Sequence, residues 1–589
     1  MILQALTRYY DRLETDPEQN VANFGFSREK ISFCVVLKPD GTPVQIDDVR
    51  KEVEIGGKTK RTKLLPAKLI VPDRGGRSGT LIKSNFLWDN TGYALGCDGK
   101  GKPERSRSQF EAFRTLHKEF LAKTDDPSLA ALCRFLDAWD VEQTSQRAAE
   151  LARQEWDEIC DENIVFRLDG QRAYLHDSQA LREAWLAYVT AEYESQLGYC
   201  LVSGKQERLA RLHPMIRGVA GAQSSGAALA SFNKDAFTSY GKEQSYNAPV
   251  GLRSAFRYTT ALNRLVSDER HRIRVAGSTI VYWADKPTPF ESMFGPTIDD
   301  YAAEDADTLN RVKGFLDSLR QGRAADDLED ANVGFHVLGI SPNASRLSIR
   351  FWLTGTVKEF AERLGSHLAD LEMGYPNPHD PPLTIRRMLD QTARDRKDIS
   401  PLLEGSLVRA ILTGGPYPRT LFNSIIRRIV ADGRVTHHRT AILRAYLVRL
   451  LQPYDKEDIP VTLNMEHPNQ AYHLGRLFAA LEKTQEEASD GKLNSTIKDR
   501  YFSSASTTPV AAFPRLLRLH AHHLNKIENP GRRTNLEKIV QGICSRIDGF
   551  ANHLPLDGQG LFFIGYYHQR QDFFTKKTES KNETPTKEN

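Results

Sequence analysis

The stretch Gly374 to Pro382, GYPNPHDPP, divides the chain by character. Upstream of it, short runs of β-branched and aromatic residues alternate with Gly, Pro and Asp turns. Downstream, strand signals stop and a helical period takes over. On the upstream side Ile31–Leu37 and Val44–Val49 flank the turn Pro39-Asp40-Gly41, which predicts a hairpin. Ile164–Leu168 with Ala173–Leu175 predicts a second, and Phe335–Ile340 with Leu347–Leu353 a third. Ile273–Trp283 reads as a strand pair, or as one bent strand bulged at Gly277. On the downstream side Leu474, Leu477, Phe478 and Leu481 share one helix face, as do Leu536, Ile539, Val540, Ile543, Ile547 and Phe550. The expected class is therefore α+β and multi-domain: a mixed α/β N-terminal two-thirds with several β-hairpins, then a C-terminal α-helical bundle.

A chain of 589 residues has room for several domains. Residues 1–160 are expected to form a mixed α/β region with a basic loop, and 161–375 its mixed continuation. Residues 376–464 read as a helical connector, 465–575 as the terminal bundle, and 576–589 as a tail too polar to order. With 40% hydrophobic and 26% charged residues the composition is that of a water-soluble globular protein. Six cysteines without a Cys-x-x-Cys pair indicate neither a disulfide framework nor a zinc ribbon, and a cytoplasmic location with reduced thiols is expected. The opening MILQALTRYYDRLE reads as an amphipathic helix lacking the apolar run of a signal peptide. Gly218–Asn233, the longest uncharged stretch, is too polar to span a bilayer, so no membrane is expected.

The net charge of +4 conceals segregation. Arg50–Arg107 holds 14 Lys and Arg against 6 Asp and Glu, and Cys200–Arg274 holds 12 against 5. Cys133–Glu162 has 3 against 9, and Asp285–Val333 has 5 against 12. Two basic blocks set against two acidic ones imply a track for a polyanion.

The second basic block contains Gly198–Tyr258, GYCLVSGKQERLARLHPMIRGVAGAQSSGAALASFNKDAFTSYGKEQSYNAPVGLRSAFRY, too rich in Gly, Ser and Ala to be ordinary core. Gly221–Gly226 imitates a nucleophile elbow, but the second glycine falls one residue too late for Gly-x-Ser-x-Gly. What remains is small residues and polar donors flanked by Lys205, Arg208, Arg211, Arg217, Lys234, Lys242, Arg253 and Arg257, a composition suited to close approach by a phosphate backbone. Phe232, Phe237, Tyr240, Tyr246, Phe256 and Tyr258 are interleaved as stacking or packing partners. In the first block Gly57-Lys58-Thr59 suggests a phosphate loop, but Glu52 stands where its first glycine should be. Lys58, Lys60, Arg61 and Lys63, followed by the loop of Arg74, Gly76 and Arg77 and by Lys83 and Asn85, read either as a disordered basic loop on an edge strand or as a probe inserted into a groove, where cations hold phosphates and Asn85 reads base edges. Histidines at 437, 438, 467, 473, 520, 522 and 523 lack a His-Glu-x-x-His spacing, so no metal centre or other cofactor is expected.

Three collinear segments carry a family resemblance. They are VPDRGGRSGTLIKSNFLWDNTGYALG (71–96), CLVSGKQERLARLHPMIRGVAGAQSSGAALASFN with SYGKEQSYNAPV (200–250), and LNSTIKDRYFSSASTTPVAAFPRLLRLHAHHL with GLFFIGYYHQRQDFF (493–574). Together they resemble the large subunit of the subtype I-C CRISPR surveillance complex, Cascade. The resemblance implies a non-catalytic, RNA-guided subunit. It would recognise the protospacer-adjacent motif in double-stranded DNA, promote strand separation, support the displaced strand and license recruitment of a separate helicase-nuclease. It further implies as partners crRNA, the target DNA, backbone subunits, a subunit gripping the guide's 5′ end, and a small helical subunit. In that family the small subunit is made by internal translation, which here points to Met465 as a second start.

Asn85, Gln223, Ser224 and Ser225 are the expected base readers, with Arg77 and Lys83 reading bases or clamping the backbone. Asn233, Lys234, Lys242 and Arg253 are expected along the DNA, and Arg476, Lys498, Arg500, Arg515 and Arg518 are expected to present bundle cations to it. Two rivals are a free-standing metal-dependent nuclease, for which no carboxylate constellation is visible, and a protein-only scaffold, which leaves the basic blocks unexplained.

Overall fold

The computed structural model describes residues 1–16, 19, 21–55, 61–73, 81–99, 101–192, 196–275, 277–298, 330–374, 383–450, 459–489 and 495–574. The Pro-rich stretch 375–382 and the tail 576–589 lie outside these residues. Helix and strand mix up to Thr356, and every regular element described beyond it is helical, so the α+β reading holds. Backbone contacts divide the chain into two units: Met1–Ile216 with Ala228–Asn263, and Arg217–Ala227 with Arg264–Asn589.

The first unit is built on β2 (Phe33–Leu37), whose run FCVVL is buried at all five positions. A strand with no polar face must be covered on both sides, and β2 lies inside a four-stranded mixed sheet. Its order is β3 (Pro43–Asp48), β2, β8 (Asn163–Leu168), β7 (Trp88–Asn90). The hairpin from β2 to β3 turns at Gly41, whose φ of 91° suits a residue without Cβ. The expected hairpin at 164–175 is corrected: β8 pairs in parallel with β2, Phe33 facing Ile164, and only a single bridge joins Arg167 to Tyr174. Residues on either side of the boundary expected at 160 thus share one sheet.

Beside this sheet, β1 (Phe26–Ile31) pairs with β6 (Ala67–Pro72), and β4 (Lys51–Ile55) pairs with β5 (Arg61–Leu65) as a separate ribbon. Phe86, Phe120 and Trp185 stack in the core, and the Trp185 indole donates to the Gly25 carbonyl at 2.7 Å. The helix Gln179–Glu192, which carries Trp185, is entered through Ser178, whose Oγ accepts from the Leu181 N–H at 3.5 Å.

The second unit contains an antiparallel sheet in the order β11 (Arg272–Val275), β12 (Ser278–Ala284), β13 (Gly334–Asn343), β14 (Arg346–Thr356). The Ile273–Trp283 stretch is therefore a strand pair, with Gly277 at φ 90° in its turn. The sheet feeds α1 (Val357–Asp370) through a capping box, Thr356 accepting from the Glu359 N–H while Glu359 accepts from the Thr356 N–H. There follow α2 (Pro401–Thr413), α3 (Arg419–Asp432) and α4 (His437–Leu450). Gly414 and Gly433, at φ 71° and 66°, end α2 and α3 in left-handed caps.

The terminal helices are α5 (Gln470–Ala488), α6 (Ile497–Thr507), α7 (Pro509–Leu524), α8 (Pro530–Cys544) and α9 (Leu556–Phe574). Leu524, Ile527 and Leu536 form a small apolar cluster among them, and the rest of their buried hydrophobic residues join the core of the second unit. One continuous apolar cluster runs from Ile273 in β11 through α1 and α4 to Tyr567 in α9. Two glycines set the crossing of α5 and α9: a Cβ at Gly475 would lie 1.9 Å from the Phe562 carbonyl oxygen, and one at Gly565 would lie 2.1 Å from that of Tyr472. Because those obstacles are backbone, any side chain at either site would force the helices apart.

Candidate nucleic-acid interface

In the first unit, β9 (Leu197–Tyr199) and β10 (Gln206–Arg208) form a short hairpin around Ser203-Gly204. The buried Cys200 sulfur secures the turn by accepting from the Val202 and Ser203 N–H groups at 3.3 and 3.4 Å. Leu209 packs under Gly198, while Lys205, Arg208 and Arg211 are exposed. Glu207, the carboxylate between these cations, lies over Gly251 and accepts from Ser203. His213 is buried against the Tyr258 hydroxyl at 2.6 Å, and burial pushes its pKa down to about 4, so it stays neutral there. The chain is pinned again where the Ser245 N–H donates to the Arg211 carbonyl at 3.2 Å.

Between those pins, residues 233 to 243 are exposed without interruption. This segment carries Asn233, Lys234 and Lys242, and Arg253 is exposed at the start of the helix Leu252–Ser267. The structure therefore presents these four outward within one unit. It also sorts the aromatics of the stretch. Tyr258 is fully buried, Phe256 packs edge-on against Tyr10 and Phe24, and Phe232 and Tyr246 are half-buried. Phe237 is 37% exposed and Tyr240 is 99% exposed.

Gln223, Ser224 and Ser225 belong to the second unit. The segment Arg217–Ala227 is held there by the Ala220 N–H on Thr279 Oγ1 at 3.3 Å and by Arg274 on the Gly218 carbonyl at 3.4 Å. Buried Val219 and Ala227 anchor its ends. At its tip the Gly226 N–H closes a turn on the Gln223 carbonyl at 2.9 Å, leaving Gln223, Ser224 and Ser225 exposed.

Of the first basic block, Lys63 is exposed on β5 and faces Val53 across the ribbon, and Arg61 is placed by its backbone opposite Ile55. Lys58, Lys60, Arg74, Gly76 and Arg77 lie outside the described residues. Lys83 and Asn85 are half-buried; their N–H groups donate to the Tyr93 hydroxyl at 3.2 Å and to Asp89 at 2.9 Å.

In the helical third the expectation divides. Arg500, Arg515 and Arg518 are exposed, Arg515 lying over the Tyr501 ring. Arg476 is corrected: it is 5% exposed, donating to the Gln569 side chain at 3.1 Å and the Met465 carbonyl at 3.3 Å. Lys498 is likewise turned inward, donating to the Tyr566 hydroxyl at 2.7 Å, and desolvation lowers its pKa. Both sit at helical positions that face neighbouring helices, which a count of charge does not detect.

Among the described residues no three of His, Cys, Asp and Glu gather as a possible metal ligand set. A cleft of about 660 Å³ in the first unit is lined by Cys34, Asp47, Asp48, Arg153, Arg167 and Tyr174, among others. Its Asp47 and Arg167 pair with each other at 2.5 Å, and burial pushes the Cys34 thiol up to about 12, away from nucleophilic use. No helix among the described residues is long and apolar enough to cross a membrane.

The described residues thus form an α+β chain with cations exposed along its loops. The chain belongs to the family of CRISPR-associated protein Csd1, whose model matches residues 6–574, which makes it a CRISPR-associated Cascade large subunit. No curated protein matches the chain.

Proposed function

We propose that this subunit serves a subtype I-C Cascade, recognises the protospacer-adjacent motif in double-stranded DNA, promotes strand separation, supports the displaced strand, and licenses a separate helicase-nuclease without a catalytic step of its own. The observation that carries the reading is the exposure within the first unit of Lys205, Arg208, Arg211, Lys234, Lys242 and Arg253; of the carboxylates between them Glu207 is engaged within the fold, while Asp235 and Glu243 are exposed. Exchange of DNA pairs for RNA–DNA pairs is close to balanced, so a modest free energy from motif binding and phosphate contacts decides whether it proceeds. The partners in this reading are crRNA, the target DNA, backbone subunits, the 5′-end subunit, a small helical subunit and the helicase-nuclease.

The test is binding of the crRNA-loaded complex to matched duplexes with and without the motif, across a salt series. Motif-dependent affinity that falls steeply with salt is expected. Salt-independent binding would favour a protein-only scaffold, and cleavage by the purified chain with added Mg²⁺ or Mn²⁺ would favour a nuclease.

A shorter product beginning at Met465 belongs to the same proposal. Met465 is 59% exposed in the segment before α5, and the glycine-set crossing of α5 and α9 falls wholly within residues 465–574. Intact-mass measurement of the complex should show that product, and recoding Met465 should remove it; absence of any C-terminal fragment overturns it.

A further inference from the structure

Ser239, Tyr240, Gly241 and Lys242 form a reverse turn closed by the Lys242 N–H on the Ser239 carbonyl at 2.9 Å. Both central residues are left-handed, Tyr240 at φ 51° and Gly241 at φ 68°. Such turns favour Gly, Asn and Asp at these places, and a tyrosine there is held against its own preference. What holds it is Asn247. Its amide nitrogen donates to the Lys242 and Gln244 carbonyls at 2.7 and 2.9 Å, and its Oδ1 accepts from the Ser239 N–H at 3.1 Å. A clamped turn thus lifts an aromatic ring that is 99% exposed and gains no burial from the fold.

We infer that the Tyr240 ring is a stacking platform for an unpaired nucleobase whose adjacent phosphate is held by Lys242. This rests on the nucleic-acid reading and assigns it a contact. A flat ring with both faces in water suits any base, because every base has a π-face. The surroundings fit a nucleotide better than a protein groove. Residues 233–243, NKDAFTSYGKE, contain no Val, Leu, Ile or Met to form an apolar rim. Lys234 and Lys242 supply cations in the same exposed segment, alongside the carboxylates Asp235 and Glu243, and Arg211 is tied to its base through Ser245. An unpaired base occurs in a separated DNA strand and in a guide RNA, and both present the same chemistry.

The test uses the assembled complex with 2-aminopurine placed in turn along the displaced DNA strand, the motif flank and the guide RNA. One position should show stacking-quenched fluorescence, and the strand it lies in identifies the source. Tyr240→Ala should abolish that quench and weaken binding about 5-fold to 150-fold, while Tyr240→Phe retains both. Lys242→Ala should keep the quench and lower the salt slope. An unchanged melting temperature for Tyr240→Ala verifies that the fold is intact. If wild-type complex binds DNA with salt dependence but no position is quenched, or Tyr240→Ala matches it in affinity, the inference is wrong and the binding reading stands. If Tyr240→Ala instead loses a protein subunit from the complex, the ring docks on protein and the inference is overturned. If wild-type complex binds no DNA, the underlying reading itself falls.

Discussion

The stretch Lys205–Arg253 and the helices around α4 use the same residue type in opposite ways. In the first, cations stand in water. In the second, Arg439, Arg444, Arg449 and Arg476 are each less than a tenth exposed. Arg449 pairs with Asp370 at 2.6 Å and donates to the Ala410 and Gly415 carbonyls; Arg444 donates to the Ala369, Asp370 and Ile459 carbonyls. These guanidiniums saturate helix ends and loop carbonyls that would otherwise be buried without partners. A basic helix is therefore no indication of a basic surface; what decides is whether the residues between the cations leave a polar face.

The sharpest division concerns pH. His117, His367 and His568 are neutral because burial depresses them, to about 4, about 3 and about 4. In His117 both nitrogens are used, Nδ1 donating to the Phe113 carbonyl and Nε2 accepting from the Leu87 N–H, an arrangement that a second proton destroys. The unfolded chain binds protons near pH 6.5 and the fold does not, so stability is full above 6.5 and lost progressively as pH falls toward 4. Each such histidine removes up to ~1.4 kcal/mol per pH unit in that window. Denaturant unfolding between pH 7 and 5 should show a loss of several kcal/mol; a flat profile would mean these sites are hydrated.

Arg449→Met isolates one inward cation. It leaves the Asp370 carboxylate buried with only the Tyr417 hydroxyl at 3.4 Å, and should cost ~3–5 kcal/mol in chemical denaturation. DNA affinity per folded molecule should not change, and a lowered salt slope would place Arg449 at the interface after all.

The smallest effect on the fold is expected outward. Lys234→Glu with Lys242→Glu should alter stability by no more than ~0.5 kcal/mol while weakening DNA binding, and the salt slope should drop by ~0.9 per lost phosphate contact. Equal affinity and slope would move the track elsewhere.

Much of the fold was legible because period and turn chemistry agree with it: the Asp40-Gly41 hairpin, the β13–β14 pair, the apolar stripe of α5 and that of α8 as far as Ile543 follow local rules, while Ile547 and Phe550, expected on the same face, lie beyond the end of α8 at Cys544. The parallel pairing of β2 with β8 was not, since more than a hundred residues separate them and parallel partners leave no turn to read. The common core of the sheet and terminal helices escaped for the same reason. At the candidate site, the exposure of Asn233, Lys234 and Lys242 followed from composition. The inward turn of Arg476 and Lys498 did not, because their carbonyl and hydroxyl partners come from distant helices. Tyr240 stood among six aromatics, and only its backbone angle and its clamp by Asn247 separate it from those that pack.

That left-handed tyrosine has an evolutionary consequence. A non-glycine residue in this conformation costs ~1–2 kcal/mol, and the Asn247 clamp is what offsets it within the fold. Asparagine adopts the same angles more readily, so Tyr240→Asn should melt at a higher temperature than the natural chain while binding nucleic acid less tightly. Opposite signs in those two measurements would mark Tyr240 as a position where stability has been traded for activity; a fall in both would return the turn to an ordinary structural role.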